Sequence, residues 1–323
     1  ISADQHRVAV KVISHEFAHQ WFGNLVTMEW WDDLWLNEAF ADWLGDKIVM
    51  ELFPDTRNDL IELRNVNAVM TTDSRSTAEP IRNPVNNSQD LLTTVGLAYN
   101  KGKTVIGMFE RWVGPEAFRP GVRAYLLENA WGNAQSADFW RALSEQAGTD
   151  VAASMETFLE QPGVPLVEAA VEGNTVRLSQ RRFSNFGTDL PPESWRIPVG
   201  LRIGAGGEVL EKTVLLTADE MQVTIEETDR IDWLMPNADG AGYYRWTIGD
   251  AALQDIAPGA SEILNARERV SFLGNLGALL DAGELGGDTY LSSLEAFASD
   301  PEPLVVSAVI SELEEEMFQE GRE

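Results

Sequence analysis

His15-Glu16-Phe17-Ala18-His19-Gln20-Trp21-Phe22-Gly23-Asn24-Leu25-Val26-Thr27, then Trp30-Trp31-Asp32-Asp33-Leu34-Trp35-Leu36-Asn37-Glu38, is the stretch on which the reading of this 323-residue chain turns. Residues 4–22 read as one helix, because Val8, Val12, Phe17 and Trp21 fall near helical spacing. Positions four apart on a helix share a face, so the imidazoles of His15 and His19 can reach one ion. Glu16 is the next residue round and can point at a ligand of that ion. Asp32 or Asp33 can cap a second helix running to about Phe53, and this helix carries Glu38.

The His-Glu-x-x-His spacing is that of zinc peptidases. In a chain with three histidines, chance would produce it in on the order of one sequence in several hundred. A third ligand makes the reading sharper. Leu25 stands where a metzincin would place a further His, whereas Glu38 follows His19 after 18 intervening residues. Two His and one Glu make a three-ligand site with a fourth position open for water, the pattern of a catalytic zinc. No cysteine is present, so thiolate sites and disulfides are excluded. One Zn2+ per chain is expected, held by His15, His19 and Glu38, with Glu16 as the general base. Asp42, one turn after Glu38, reads as a solvated helix carboxylate rather than a partner of a ligating His. Trp21, Trp30, Trp31, Trp35 and Trp43 read mainly as core packing around the motif.

Outward from this stretch, Asp55 can cap a third helix, and Pro80, Pro84, Asn86, Asn87 and Ser88 mark a loop over 79–90. Helical pattern resumes around Tyr99, with breaks at Gly114-Pro115 and Gly132-Asn133. Beyond Gln161-Pro162-Gly163-Val164-Pro165 the period changes to two: Trp195, Ile197, Val199, Leu201 and Ile203 alternate with other residues. Residues 165–248 read as an antiparallel β unit, a small sandwich with a hairpin turn at Gly204 to Gly207. From about Ala251 helical pattern returns. Apolar residues make up 44% of the chain, enough for two or three packed units. No run of eighteen apolar residues occurs, so no membrane-spanning helix is expected. The net charge of −28, with only five lysines, argues against nucleic acid and anionic lipid as partners and describes a densely solvated surface. Adaptation to high salt would leave the same trace. The chain opens on Ile1, with helical pattern almost at once, and reads as an internal piece of a longer protein.

The two quoted segments resemble the signature of the aminopeptidase N family, which includes puromycin-sensitive aminopeptidase and leukotriene hydrolase relatives among the gluzincins. Ala98-Tyr99-Asn100-Lys101-Gly102 is similar to the family segment that carries a catalytic tyrosine. Gly132-Asn133-Ala134, Gln161-Pro162-Gly163, Gln180-Arg181-Arg182-Phe183 and Gly242-Tyr243-Tyr244-Arg245 extend the likeness over most of residues 1–250. The resemblance implies a multidomain α and β protein. Residues 1–163 would be a mainly helical, thermolysin-like zincin catalytic subdomain, 164–250 an antiparallel β-sandwich, and 251–323 the beginning of a C-terminal α-helical domain. It also implies Tyr99 as an oxyanion donor and peptides as substrates, with N-terminal amino acids released. The family's Gly-x-Met-Glu-Asn motif, whose glutamate binds the substrate α-amine, does not occur here. The N-terminal β domain and the β lobe of the catalytic domain are expected upstream, and the piece alone is expected to be poorly active. An endopeptidase or leukotriene-type hydrolase on the same core stays open as an alternative. A zinc-free scaffold is disfavoured, because His15, Glu16, His19, Glu38 and Tyr99 all stand.

Overall fold

The computed structural model describes residues 2–320, with side chains at all of these but 88, 89, 91–95 and 315–320. In chain order the elements are α1 (Ala3–Ala18), β1 (Val26–Met28), α2 (Trp35–Leu52), α3 (Asn58–Asp73), α4 (Ser88–Val113), α5 (Pro115–Glu128), β2 (Gly132–Ala134), α6 (Ser136–Ala147) and α7 (Ala152–Leu159). Then follow β3 (Pro165–Glu172), β4 (Thr175–Arg182), β5 (Ile197–Ala205), β6 (Glu208–Leu216), β7 (Glu220–Thr224), β8 (Trp233–Met235) and β9 (Arg245–Thr247). The chain finishes on α8 (Asp250–Ile256), α9 (Ala260–Ile263), α10 (Ala266–Asp281), α11 (Gly287–Phe297) and α12 (Pro303–Glu320). It is therefore a mixed helical and sheet protein with several sheets. Two compact units emerge: residues 1–59, 77–163 and 195–198 form the first, and residues 60–76, 164–194 and 199–323 the second.

In the first unit, α1 starts where Ser2 caps it. The Ser2 hydroxyl accepts from Gln5 N, and Ser2 N donates to the Gln5 side chain, so two orphan donors are satisfied. The helix ends at Ala18, four residues short of the expected end. Gly23, with φ 134°, turns the chain there, and its N–H bonds to Val26 O. Helix α2 packs against both α1 and α4. Two glycines permit the approach: a Cβ on Gly45 would stand 3.0 Å from His15 N, and one on Gly102 would stand 2.6 Å from the Ala39 Cβ.

Neither Asp32 nor Asp33 caps α2, whose first residue follows Leu34 without a side-chain cap. Asp33 is buried and used elsewhere. Its Oδ2 accepts from Ser136 N at 3.0 Å, and its Oδ1 accepts from Arg82 Nε at 3.0 Å and from the Ser136 hydroxyl. A buried carboxylate needs such donors, and tertiary donors win over a local cap. Helix α4 begins eleven residues before Tyr99, at Ser88, where the Asn87 side chain accepts from Asp90 N and the Asp90 carboxylate accepts from Asn86 N and Asn87 N. The Gly132-Asn133 break holds a short strand, β2, pairing in parallel with β1. The core gathers Phe22, Trp35, Phe40, Phe139 and Trp140.

The second unit holds two sheets, with strand orders β7-β4-β3-β9 and β6-β5-β8. The β3–β4 and β4–β7 pairs are antiparallel, while β3 and β9 pair in parallel, Leu166 opposite Arg245. The two-residue turn between β5 and β6 is Gly206-Gly207, with φ 59° and 85°, as a tight hairpin of native twist requires. Helix α10 opens on a reciprocal cap between Asn265 and Glu268. Among the described residues no helix is long and apolar enough to cross a membrane.

Candidate metal centre

His15 lies in the last turn of α1 and His19 is its C-cap. Glu38 lies in the first turn of α2. Packing of α1 on α2 brings the three side chains together. His15 Nε2 and His19 Nε2 are 3.0 Å apart, and Glu38 Oε2 is 3.4 Å from the first and 3.5 Å from the second. Two donors about 2.0–2.1 Å from one tetrahedral ion stand roughly 3.3 Å apart, close to all three separations. Among the described residues this is the one group of His, Cys, Asp or Glu side chains with metal-ligand spacing.

The hydrogen bonds around the cluster decide what it can do. His15 Nδ1 lies 2.9 Å from Asp42 Oδ1, and His19 Nδ1 lies 2.8 Å from the Phe22 carbonyl oxygen. Both oxygens only accept, so each Nδ1 carries a proton, and whenever a ring is neutral its lone pair lies at Nε2. Glu38 Oε2 is buried and takes no hydrogen bond of ordinary geometry. Three electron-pair donors thus face one another, an arrangement that needs a cation or a proton between them. The donor set, two imidazoles and a carboxylate with no thiolate, suits zinc.

The charges agree. Burial works against a charged Glu38, yet His15, His19 and Tyr99 outweigh it and hold its carboxyl well below the usual carboxylate range. Burial likewise opposes a charged His15, but the bond to Asp42 and the nearness of Glu38 push it up to about 9. His19 is raised chiefly by Glu38. The Tyr99 ring stacks on His15 with centroids 5.7 Å apart, which sets Tyr99 beside the cluster. Its hydroxyl is pushed up by burial and then by its hydrogen bond to Glu38, so it stays a donor. Glu16 is exposed on α1, next to His15 in the chain.

Two features were not read from the sequence. Asp42 is not a solvated carboxylate; it is 8% exposed and bonded to His15. Its position one turn after Glu38 was the available signal. The Phe22 carbonyl left no signal, because its orientation follows from the turn at Gly23. The aromatics also divide differently. Trp35 is core and Trp43 is half-buried, but Trp21, Trp30 and Trp31 are 38%, 59% and 45% exposed.

The model of the peptidase family M1 domain matches residues 1–158. A leucyl aminopeptidase of Saccharolobus solfataricus is 34% identical over 309 residues, 95% of this chain and 38% of that protein. Tricorn protease-interacting factor F2 of Thermoplasma volcanium is 32% identical over 94% of the chain and 37% of its own length. Aminopeptidase M1-B of Oryza sativa subsp. japonica is 30% identical over 96% of the chain and 36% of its own length. The chain thus spans a little over a third of the length of these relatives.

Proposed function

The chain belongs to the M1 family of peptidases, that of aminopeptidase N, and on that ground we propose that it carries the zinc centre of an enzyme that releases N-terminal amino acids from peptides. The observation that supports this most is the convergence of His15 Nε2, His19 Nε2 and Glu38 Oε2, with both Nδ1 atoms committed elsewhere. These three residues would hold one zinc. When bound, zinc supplies a Lewis acid that polarises a carbonyl and lowers the pKa of water to about 7.

The chain's own residues supply the rest. The Glu16 carboxylate takes the proton of the attacking water and delivers it to the leaving amine. The Tyr99 hydroxyl donates a hydrogen bond to the oxygen on which negative charge develops. No Ser or Cys nucleophile is called for. The parts assigned are residues 1–163 as a thermolysin-like catalytic subdomain, 164–250 as a β-sandwich, and 251–323 as the beginning of a helical domain.

The test has two arms. The purified chain, supplied with zinc, should retain about one equivalent by elemental analysis, and less than half an equivalent would count against the centre. In the full-length protein, an aminoacyl amide with a free amine should be cleaved and its N-acetylated form should not. Glu16→Gln should keep the zinc and lose at least 10²–10⁴-fold in turnover. Equal cleavage of free and blocked substrates would assign an endopeptidase instead.

A further inference from the structure

Next to the metal cluster, Asp42, Asp46 and Lys103 form a row of charged groups that the proposed chemistry does not use. Glu38, Asp42 and Asp46 stand at successive turns of α2, so three carboxylates share one face. Lys103 reaches them from α4. Its Nζ is 2.8 Å from Asp46 Oδ2 and 3.8 Å from Asp42 Oδ2. Asn58 Nδ2 donates to Asp46 Oδ1 at 3.0 Å, and Lys11 Nζ stands 3.8 Å from the same oxygen. Asp42, Asp46 and Lys103 are all buried.

Carboxylates in such a place stay ionised only when paired. Lys103 makes its short contact with Asp46 and its long one with Asp42. The shorter contact of Asp42 is the one to His15, at 2.9 Å. The two ligating imidazoles are therefore oriented by different means. His19 is held by a main-chain carbonyl, an acceptor that carries no net charge. His15 is held by a carboxylate whose charge Lys103 sustains.

We infer that Asp42 is a positioning residue of the metal centre, with Lys103 as its counter-charge: the Asp42 carboxylate fixes the tautomer and ring angle of His15 that turn Nε2 toward His19 and Glu38. This rests on the metal reading proposed above. A carboxylate on Nδ1–H also draws the proton toward itself and makes Nε2 a stronger donor to a metal. The rival role, an ion pair that only helps α2 and α4 pack, predicts a loss of stability with no change at the metal.

Zinc affinity separates the two, measured by chelator competition on the purified chain and on its Asp42→Asn, Asp42→Ala and His15→Ala variants. Visible absorption of the cobalt(II)-loaded proteins and melting of the metal-free proteins accompany it. Asp42→Asn keeps an acceptor without charge, and Asp42→Ala removes it. Zinc affinity should fall in that order, by about 10–100-fold in the alanine variant, and the cobalt bands should shift. Should the alanine variant fail to fold, the near-isosteric asparagine variant decides alone. A threefold or smaller change in zinc affinity with unchanged cobalt bands would overturn the inference, even if melting were lowered. In that outcome, tight zinc binding by the parent chain and its loss in His15→Ala would leave the metal centre standing. No zinc binding by the parent chain, or equal binding by His15→Ala, would remove both.

Discussion

Two imidazole nitrogens 3.0 Å apart, each with its partner nitrogen already donating, repel unless something positive lies between them. Without a metal a proton can fill that place: burial opposes a charged His15, but Asp42 and Glu38 push it up to about 9. Zinc must displace it. Protons bind more as pH falls, so apparent zinc affinity should drop as pH is lowered from 9 to 6, by about tenfold per unit for each proton displaced. Above about 9 the profile should flatten. Chelator competition across this range measures it, and a flat profile from 6 to 9 would show that zinc displaces no proton from the centre over this range. Tyr99 belongs to the same scale. Held protonated by burial and by Glu38, it is suited to donate, not to accept. Tyr99→Phe in the full-length protein should lower kcat by about 10²–10³ with little change in KM, because the bond strengthens only as charge develops. Unchanged kcat would remove the hydroxyl from the reaction. The spacing of His15, His19 and Glu38 could be read directly. Asp42 could not, because a helix carboxylate is solvated or buried according to what packs on it.

At the scale of elements, α2 is the piece on which the centre depends. It presents Glu38, takes α1 against Gly45, and takes α4 against Ala39 through Gly102. Its buried carboxylates are tolerated because α4 supplies Lys103. Lys103→Met keeps the length of the side chain and removes the charge, leaving Asp46 and Asp42 buried with less compensation. Breaking a buried pair in this way costs about 3–5 kcal/mol. The urea midpoint of the metal-free chain should fall accordingly, and a change below about 1 kcal/mol would show that water or Lys11 already compensates the pair. The helices themselves were legible from apolar spacing, but their ends were less so. Asp33 has the chemistry of a cap, yet Arg82 and Ser136 claim it. Local caps and tertiary donors compete for one carboxylate, and the sequence around Asp33 does not contain the winner.

The whole molecule carries a net charge of −28 on 323 residues, and self-repulsion on that scale opposes compactness. The screening length shrinks from about 10 Å at 0.1 M salt to about 3 Å at 1 M. The melting temperature should therefore rise as NaCl is raised over this range, and constant or falling values would show that local pairs already balance the excess acid. Much of the protein was decided in the linear order of residues. The His-Glu-x-x-His spacing needs only the helical repeat to put two imidazoles on one face. The glutamate after eighteen intervening residues, the absence of cysteine, and the change from helical to alternating period near residue 164 need no tertiary knowledge either. The family likeness is carried by the same short segments. What the tertiary structure alone decided concerns contacts across helices. The approach of Glu38 to the two histidines, the turn that aims the Phe22 carbonyl at His19, the burial of Asp42 behind His15, and the parallel joining of β9 to β3 all depend on which surfaces meet. Periodicity reports which face of an element is apolar; it carries no record of the partner that face will find, and the protonation and orientation of polar groups are set by that partner.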